Sequence, residues 1–331
     1  MKKLVFNLLI FFGLPLIFFG VLEIVIFNFK DKMLSEDKLE NIFREDADNY
    51  NWIPKVKSDS LIILAGSSSV RFGLSCNELN ALSSNQYKYV NIAMEARDPI
   101  QTYFILKNID LRKTSTIYFG LDPWIYSKKY YKNRNNYLYL DFTFIQILRF
   151  SIEHDNAALL KRYKNILTFF YPKILNNSSD KNIEIPENYG SATLERKPKN
   201  FNEPVATAFQ IDKYGWSDLQ FAYLKKIIKI CNDKNIKFVL FIPPKRSDYT
   251  KDYKENCLLI HHEFIEKLDN LNSNVPIFGK FDQLDNLGDF ENFAEPFHLN
   301  KTGQSRYSKL FYQQTSNNIE VFSKKHVWFN N

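Results

Sequence analysis

Five short apolar runs between residues 60 and 278 constrain the fold of this chain more than any other feature of the sequence. They have the length and the β-branched and aromatic content of strands, and most are apolar on both faces, as buried parallel strands are. The predicted strands are residues 60–64, 87–92, 115–121, 237–242 and, more weakly, 275–278.

Helical patterns alternate with these runs. Ser75 and Glu78 form a capping box that predicts a helix start, and apolar residues recur at helical spacing over residues 99–109, 217–231, 255–271 and 302–312. This alternation predicts a doubly wound α/β domain with a parallel sheet, covering residues 59–316. Residues 127–209, rich in Tyr, Asn and Lys, break the rhythm and are interpreted as an insertion, a lid or a partner surface, with helical pieces near 142–150 and 157–170.

Composition excludes several classes of protein. With 331 residues, 45% of them hydrophobic and 16% aromatic, the chain can build a large core and is not disordered. The formal charge of +7 is spread among alternating acidic and basic residues, so no nucleic-acid face is indicated. Cys76, Cys231 and Cys257 form no C-x-x-C pair. Cys231 and Cys257 could pair in an oxidising compartment, although buried free thiols are the favoured interpretation.

The N-terminus predicts a membrane anchor. Residues 4–29 are almost wholly apolar, long enough for a bilayer-spanning helix and too long for a cleaved signal peptide. Residues 1–29 are therefore the predicted transmembrane anchor, residues 30–58 a juxtamembrane stalk, and residues 317–331 a C-terminal tail. Lysines flank the segment on both sides, so charge hardly decides its orientation, but large downstream domains translocate largely regardless of charge. We expect the body outside the cytoplasm.

A serine and a distant histidine are the best clue to chemistry. Ser68 follows the first predicted strand and Gly66, where a strand-to-helix turn can expose a hydroxyl and its own N–H. Taken alone, the serine has a simpler explanation, since serine and glycine are the usual residues of turns. His298 could act as its base, because histidine exchanges a proton near neutral pH, and Glu295 could orient the imidazole. The remaining histidines have no metal-ligand spacing, so neither a metal nor another cofactor is expected.

Two further groups could contact a substrate. Lys245 and Arg246 follow the fourth strand and could bind an anion, although a solvated loop charge is the simpler interpretation. Several aromatic residues after the third strand could stack on sugar rings, or could pack in the core or at an interface. These are Tyr118, Trp124, Tyr126, Tyr130 and Tyr131.

Four ordered blocks resemble the SGNH/GDSL hydrolase superfamily over roughly residues 60–311. The blocks are Gly66-Ser67-Ser68 with Gly73-Leu74, Asn91-Ile92-Ala93, Gly120-Leu121-Asp122, and Glu295-x-x-His298-Leu299-Asn300-x-x-Gly303. The resemblance implies a flavodoxin-like three-layer α/β/α domain with five parallel strands. It also implies that Ser68 is the nucleophile, His298 the base and Glu295 the orienting acid, where most members have Asp.

The implied oxyanion hole departs from the family pattern. The backbone N–H groups of Ser68 and Ala93 are the expected donors, but Asp122 stands where the family has an asparagine amide. A carboxylate there would repel a developing negative charge. Either Asp122 is protonated or turned away, or Asn91 or Arg71 substitutes for it, or turnover is slow.

By this resemblance, the chain is expected to hydrolyse or transfer acyl esters of a cell-envelope polysaccharide or another acylated glycan through an acyl-enzyme. A membrane-bound O-acyltransferase is the implied partner, with the catalytic domain on the extracytoplasmic side. The alternative is a catalytically inactive relative that binds polysaccharide or such a partner. A chance coincidence of motifs in another α/β protein also stays open.

Overall fold

A computed structural model describes residues 2–84, 86–128, 136–170, 184–195, 214–271, 275–284 and 290–316. The chain divides into two compact units. The first comprises Met1–Ile42 with Lys128–Ser178, and the second comprises Phe43–Ser127 with Ser179–Asn331. The predicted tail, residues 317–331, lies outside the described residues.

The second unit is built on a five-stranded parallel sheet. Its strands are β1 (Leu61–Ala65), β2 (Lys88–Asn91), β3 (Thr114–Gly120), β4 (Lys237–Phe241) and β5 (Ile277–Phe278). They lie in the order β2-β1-β3-β4-β5, and every neighbouring pair is parallel. This is the flavodoxin-like order of a doubly wound sheet. The predicted α/β class and all five predicted strands are confirmed, with boundaries shifted by one or two residues.

The helices of this unit alternate with the strands as predicted. Their bounds are α3 (Ser68–Arg71), α4 (Cys76–Leu82), α5 (Pro99–Asn108), α8 (Asp218–Asp233), α9 (Ser247–Asn256), α10 (Leu258–Asp269) and α11 (Lys301–Ser316). The helix α2 (Glu36–Asp48) lies across the division between the units. Ser75 caps α4 by accepting a hydrogen bond from the Glu78 N–H. The reciprocal half of the predicted capping box is replaced, since the Ser75 N–H donates to Ser308 Oγ and the Glu78 carboxylate accepts from Ser305. Helix α9 was not predicted, because Tyr249 and Tyr253 are its main buried apolar side chains.

The turn after β1 packs closely on the end of β3. Gly66 has a φ of 137°, a conformation that L side chains rarely adopt. A Cβ atom on Gly66 would lie 2.8 Å from Val70 Cγ2, and one on Gly120 would lie 2.2 Å from the same atom. The two glycines therefore let Val70, which is fully buried, anchor α3 against the sheet. This contact fixes the height of Ser68 above the strand ends.

A short hairpin carries the C-terminal motif. Strand β6 (Phe293–Glu295) pairs antiparallel with β7 (His298–Leu299), so that Glu295 is opposite His298. Helix α11 follows at once, and Gly303 lets it approach the Asn292 carbonyl, since a Cβ there would lie 2.0 Å from that oxygen. The last motif block therefore corresponds to a hairpin and the tightly packed start of a helix.

Part of the predicted insertion belongs to the second unit. Residues 184–195 run beside the edge strand β2, where the Asn91 N–H donates to the Tyr189 carbonyl at 2.8 Å. Gly190, with φ of 91°, allows this approach, because a Cβ there would lie 2.0 Å from the Asn91 carbonyl oxygen. The segment covers an edge that would otherwise expose unpaired backbone groups.

The first unit is helical. It contains α1 (Lys2–Met33), a 3₁₀ segment (Asn136–Asp141), α6 (Phe144–Glu153) and α7 (Ala158–Phe170). Arg162 is buried and donates from Nε and Nη2 to the Glu23 carboxylate and from Nη1 to two main-chain carbonyls. Over the described residues, no helix combines the length and apolar character of a membrane span. The anchor is thus not supported by this finding and stays a prediction, as do the predicted domain limits.

The three cysteines are buried free thiols. Burial raises the pKa of Cys76 and of Cys231 to about 12, and the Ser191 hydroxyl, by hydrogen bonding, partly offsets the effect at Cys76. Thiols held in this form are poor nucleophiles near neutral pH. The favoured interpretation of the cysteines is confirmed, and the alternative pairing of Cys231 with Cys257 is wrong.

Candidate active site

The turn between β1 and α3 presents the Ser68 hydroxyl. Ser67 caps α3 by accepting a hydrogen bond from the Ser69 N–H at 3.3 Å, so Ser68 is the first residue of that short helix. Within the described part of the chain, the Ser68 backbone N–H has no hydrogen-bond partner. It is therefore free to donate to a ligand atom beside its own hydroxyl.

Ser68, His298 and Glu295 are linked by hydrogen bonds. Ser68 Oγ lies 2.7 Å from His298 Nε2, and His298 Nδ1 bonds to Glu295 Oε1. When Nδ1–H donates to the carboxylate, Nε2 is left as the acceptor for the Ser68 hydroxyl. The side chains of His298 and Glu295 are 14% and 23% exposed, so solvent and ligands can reach them. The geometry is that of a nucleophile, a base and an orienting acid.

Packing holds the His298 ring in this orientation. Phe72 and Phe297 meet it edge-on, with ring centroids at 5.4 and 5.1 Å. The Arg246 N–H donates to the Pro296 carbonyl at 2.9 Å and ties the hairpin loop to the segment after β4. Restricting the imidazole in this way reduces the entropy lost when the reacting groups align.

Two of the predicted oxyanion donors are engaged elsewhere. The Ala93 N–H donates to Asn91 Oδ1 at 2.8 Å, an Asx-type turn at the end of β2. The Asn91 amide in turn donates to the Val70 carbonyl at 3.3 Å and to Ser191 Oγ at 3.2 Å. The predictions that Ala93 donates to an oxyanion and that Asn91 could substitute are therefore not supported, because local hydrogen bonds already use these groups.

Asp122 is neither turned into solvent nor isolated. It is fully buried, accepts hydrogen bonds from the hydroxyls of Ser67 and Ser69, and forms an ion pair with Lys245 at 2.6 Å. Lys245 is fully buried as well and also donates to Ser69 Oγ at 2.6 Å. A carboxylate with this partner is compensated, so the repulsion expected from Asp122 alone is much reduced. The sequence did not indicate this pairing, which joins residues 123 positions apart.

Arg71 is the remaining cation beside the site. It follows Ser68 by three residues, lies with its guanidinium 5.8 Å from the centre of the Phe72 ring, and faces Glu95 at 3.8 Å. Its Nε is buried and makes no hydrogen bond to any described residue. Arg71 Nε is thus a donor without an acceptor among the described residues, on the same short helix as Ser68.

The other predicted substrate contacts need correction. Lys245 and Arg246 are 0% and 1% exposed and are bound to Asp122 and Asp248, so they are neither solvated loop charges nor a surface anion site. Tyr118, inside β3, packs on Phe278 and Phe311 in the core, and Tyr126, in the 3₁₀ turn that follows β3, is 1% exposed. Trp124 is half-buried, and Tyr130 and Tyr131 lie outside the described residues.

No metal centre is indicated in the part of the chain that the structure describes, where no group of His, Cys, Asp and Glu side chains could hold an ion.

Comparison with known proteins gives similarity to solved structures alone. No family model matches the sequence, and no curated protein matches it. Among solved structures, the chain is similar to a protein assigned as a GDSL-like lipase from Parabacteroides merdae ATCC 43184, with 11% identity, 79% of this chain and 97% of that chain covered, and a TM-score of 0.39. That is the group whose motifs the sequence resembles, but a similarity this distant says nothing about substrate or activity.

Proposed function

We propose that the chain is a serine acyl-ester hydrolase or O-acyltransferase that acts on a glycan through an acyl-enzyme on Ser68. The observation that carries the proposal is the hydrogen-bonded line from Ser68 Oγ through His298 to Glu295. These groups come from opposite ends of the second unit, 230 residues apart in the chain. Nothing in ordinary turn or core packing requires such a line at the carboxyl edge of a parallel sheet, where ligands bind in doubly wound folds.

The first half-reaction follows from the geometry. Ser68 Oγ attacks the ester carbonyl carbon while its proton passes to His298 Nε2, and Glu295 stabilises the imidazolium through Nδ1–H. The tetrahedral intermediate then collapses, the bond to the leaving alcohol breaks, and that alcohol takes the proton from His298. Ser68 is left as an ester of the acyl group.

The second half-reaction regenerates the serine. Water or a sugar hydroxyl gives its proton to His298 and attacks the acyl carbon, and the proton then returns to Ser68 Oγ as the acyl–serine bond breaks. Water as acceptor gives hydrolysis, and a sugar hydroxyl gives transfer. The choice depends on how well a bound glycan excludes water.

The negative oxygen of both intermediates needs donors. We propose the Ser68 N–H and Arg71 Nε–H as these donors, because neither has an acceptor among the described residues and both belong to the short helix α3. A single such donor is worth about 10²- to 10³-fold in kcat. The Arg71→Gln variant is therefore expected to lose roughly this factor in ester turnover.

A glycan in the cell envelope is the proposed substrate, with a membrane-bound O-acyltransferase as the proposed partner. The support is the resemblance of the motifs together with the apolar N-terminal segment, residues 4–29. The helix α1 also exposes large apolar side chains, among them Phe11 at 71%, Ile17 at 66% and Phe27 at 86%. Membrane fractionation of the full chain, with extraction by alkaline carbonate, tests the anchor. Recovery of the chain in the carbonate-soluble fraction would reject the anchor. Protease digestion of intact cells is a separate test of the extracytoplasmic orientation.

Hydrolysis of 4-nitrophenyl acetate tests the chemistry. The Ser68→Ala and His298→Ala variants should each lose at least about 10³-fold in kcat, whereas the exposed His262→Ala variant serves as the matched control and should keep full activity. Activity that survives both site substitutions would reject the proposed triad.

The second candidate function is a non-catalytic glycan-binding protein. It is favoured by one observation, namely that Ala93 and Asn91 bond to each other, so the donor expected from the second block is absent from the oxyanion site. In that case the wild-type chain shows no ester turnover that depends on Ser68, while acylated polysaccharide binds it equally well before and after Ser68→Ala. Isothermal titration with acetylated and deacetylated polysaccharide separates the two functions.

A further inference from the structure

Lys245 lies at the centre of a buried polar network that binds the residues on both sides of the nucleophile Ser68. Its Nζ is 2.6 Å from Asp122 Oδ1 and 2.6 Å from Ser69 Oγ, and neither charged side chain is exposed. Ser67, on the other flank of Ser68, donates its hydroxyl to Asp122 Oδ2. The residues immediately before and after the nucleophile are thus both bound to one ion pair.

The same network reaches the base. The Ser69 hydroxyl has two acceptors within reach, Asp122 Oδ1 at 3.3 Å and the Phe297 carbonyl at 3.4 Å, and Phe297 directly precedes His298. The main chain beside the lysine is fixed too, since the Lys245 N–H donates to the Phe281 carbonyl at 2.7 Å and the next N–H donates to Pro296. A single loop after β4 therefore braces the segments that carry Ser68 and His298.

The charge of the pair bears on catalysis as well as on structure. An unpaired carboxylate at position 122 would oppose the negative charge that develops on the substrate oxygen. A lysine at hydrogen-bond distance offsets most of the negative potential of the Asp122 carboxylate. Because both groups are buried, water does not screen the potential that remains. Both oxygens of the Asp122 carboxylate are satisfied, because each accepts at least one hydrogen bond.

We propose that Lys245 is a positioning residue: it neutralises Asp122, whose side chain holds Ser67 and Ser69 on either side of the nucleophile, so that the site works with a carboxylate at position 122. This role rests on the proposed function. Lys245 lies outside the four motif blocks, and the resemblance to known hydrolases implies no role for it. The proposed role also resolves the conflict between a carboxylate at this position and an acyl-transfer site.

Three variants separate this role from simple packing. Lys245→Met leaves Asp122 as a buried carboxylate without its cation, Asp122→Asn leaves the lysine alone, and the double variant removes both charges. For 4-nitrophenyl acetate we expect Lys245→Met to lose at least about 100-fold in kcat with KM changed less than threefold. The double variant should recover to within about tenfold of wild type, because no uncompensated charge remains.

The pH dependence of ester turnover separates the proposed role from a packing defect, because a packing defect leaves this dependence unchanged. The titratable groups facing Asp122 are Lys245, Tyr126 from the turn after β3, Tyr249 from α9, and His298 across Ser68. Burial, with the charge of Asp122 adding to it, raises the pKa of both tyrosines well above the ordinary value, so neither titrates near neutrality. A buried carboxylate without a cation takes up a proton as the pH falls. The activity of Lys245→Met relative to wild type should therefore be highest at low pH and fall as the pH rises from about 5 to 9, whereas that of the double variant stays constant.

The outcomes are distinguishable. A relative activity of Lys245→Met that is independent of pH, or a double variant no more active than Lys245→Met, overturns the proposal while leaving the triad intact. Wild-type protein with no Ser68-dependent turnover overturns the proposed function itself. If Lys245→Met does not fold, as judged by thermal unfolding, the folded double variant decides the question, since inactivity there contradicts the proposal. The exposed Lys229→Met variant, whose lysine pairs with Asp233, controls for loss of a lysine elsewhere.

Discussion

Replacing Gly120 by alanine would test whether the nucleophile turn depends on the close approach of α3 to the end of β3. The new Cβ would lie 2.2 Å from Val70 Cγ2 and 3.3 Å from Phe241 Cζ and Pro243 Cγ, whereas ordinary contacts begin at 3.4 Å. The Val70 side chain must therefore retreat by about 1 Å, and it is fully buried, with no free space to enter. Because Val70 follows Ser68 by two residues in the same short helix, Ser68 should move with it.

Both stability and activity should respond. Overpacking of this kind costs about 1–3 kcal/mol, and a misplacement of about 1 Å at a reacting group can cost about 10²-fold in rate. Ester turnover and thermal unfolding should be measured for Gly120→Ala, Val70→Ala and the double variant. Val70→Ala alone should lose about 1.6 kcal/mol or more for the two methyl groups removed, yet added to Gly120→Ala it should restore most of the activity. Full activity of Gly120→Ala, or a double variant as impaired as Gly120→Ala, would refute the steric argument.

Three other substitutions have expected outcomes. Glu295→Gln removes the charge that stabilises the imidazolium and should lower kcat by roughly 10³- to 10⁴-fold with little change in KM; a loss below tenfold in steady-state kinetics would contradict its role. Burial, with a smaller contribution from the neighbouring imidazole, lowers the pKa of His261 to about 4. The unfolded chain then binds more protons between about pH 6.5 and 4, so stability should decline as the pH falls through that window by up to about 3 kcal/mol, and His261→Phe should flatten this part of the profile in denaturant titrations. Arg162→Met leaves two carbonyls without their donor and Glu23 without its cation, although the Tyr163 hydroxyl still donates to Glu23 at 3.0 Å. It should lower the stability of the first unit by about 2–4 kcal/mol, against about 0.5 kcal/mol or less for Lys229→Met in an exposed helix pair; equal melting shifts in calorimetry would count against the buried pair.

Much of the second unit was predictable because its determinants are local. Each strand is a short apolar run, so its position follows from the residues in the run itself, and the capping serine at position 75 fixes the start of α4 within a few residues. The meeting of Ser68 with His298 was also predicted, because a serine nucleophile needs a base and the carboxylate three residues before the histidine can orient it. His298 lies on the hairpin of β6 and β7, outside the parallel sheet, so the strand order does not by itself place it.

The neighbours of the nucleophile were not predictable in the same way. Lys245 follows two prolines and precedes an arginine, a pattern typical of an exposed loop, and only its distant partner Asp122 explains its burial. Asn91 Oδ1 accepts a hydrogen bond from the Ala93 N–H. A motif that specifies only residue types does not reveal this contact. Helix α9 has too few apolar residues for a periodic signal. For Lys245 a tertiary partner decides the outcome, and sequence spacing carries no record of it.

Covalent labelling of the wild-type chain by a fluorophosphonate, followed by mass spectrometry of its peptides, shows whether Ser68 is an activated nucleophile. We expect a single phosphonylated serine at position 68, formed with the loss of fluoride, and its disappearance in the folded His298→Ala variant. Labelling at another serine, or labelling of Ser68 at an unchanged rate without His298, would contradict this expectation.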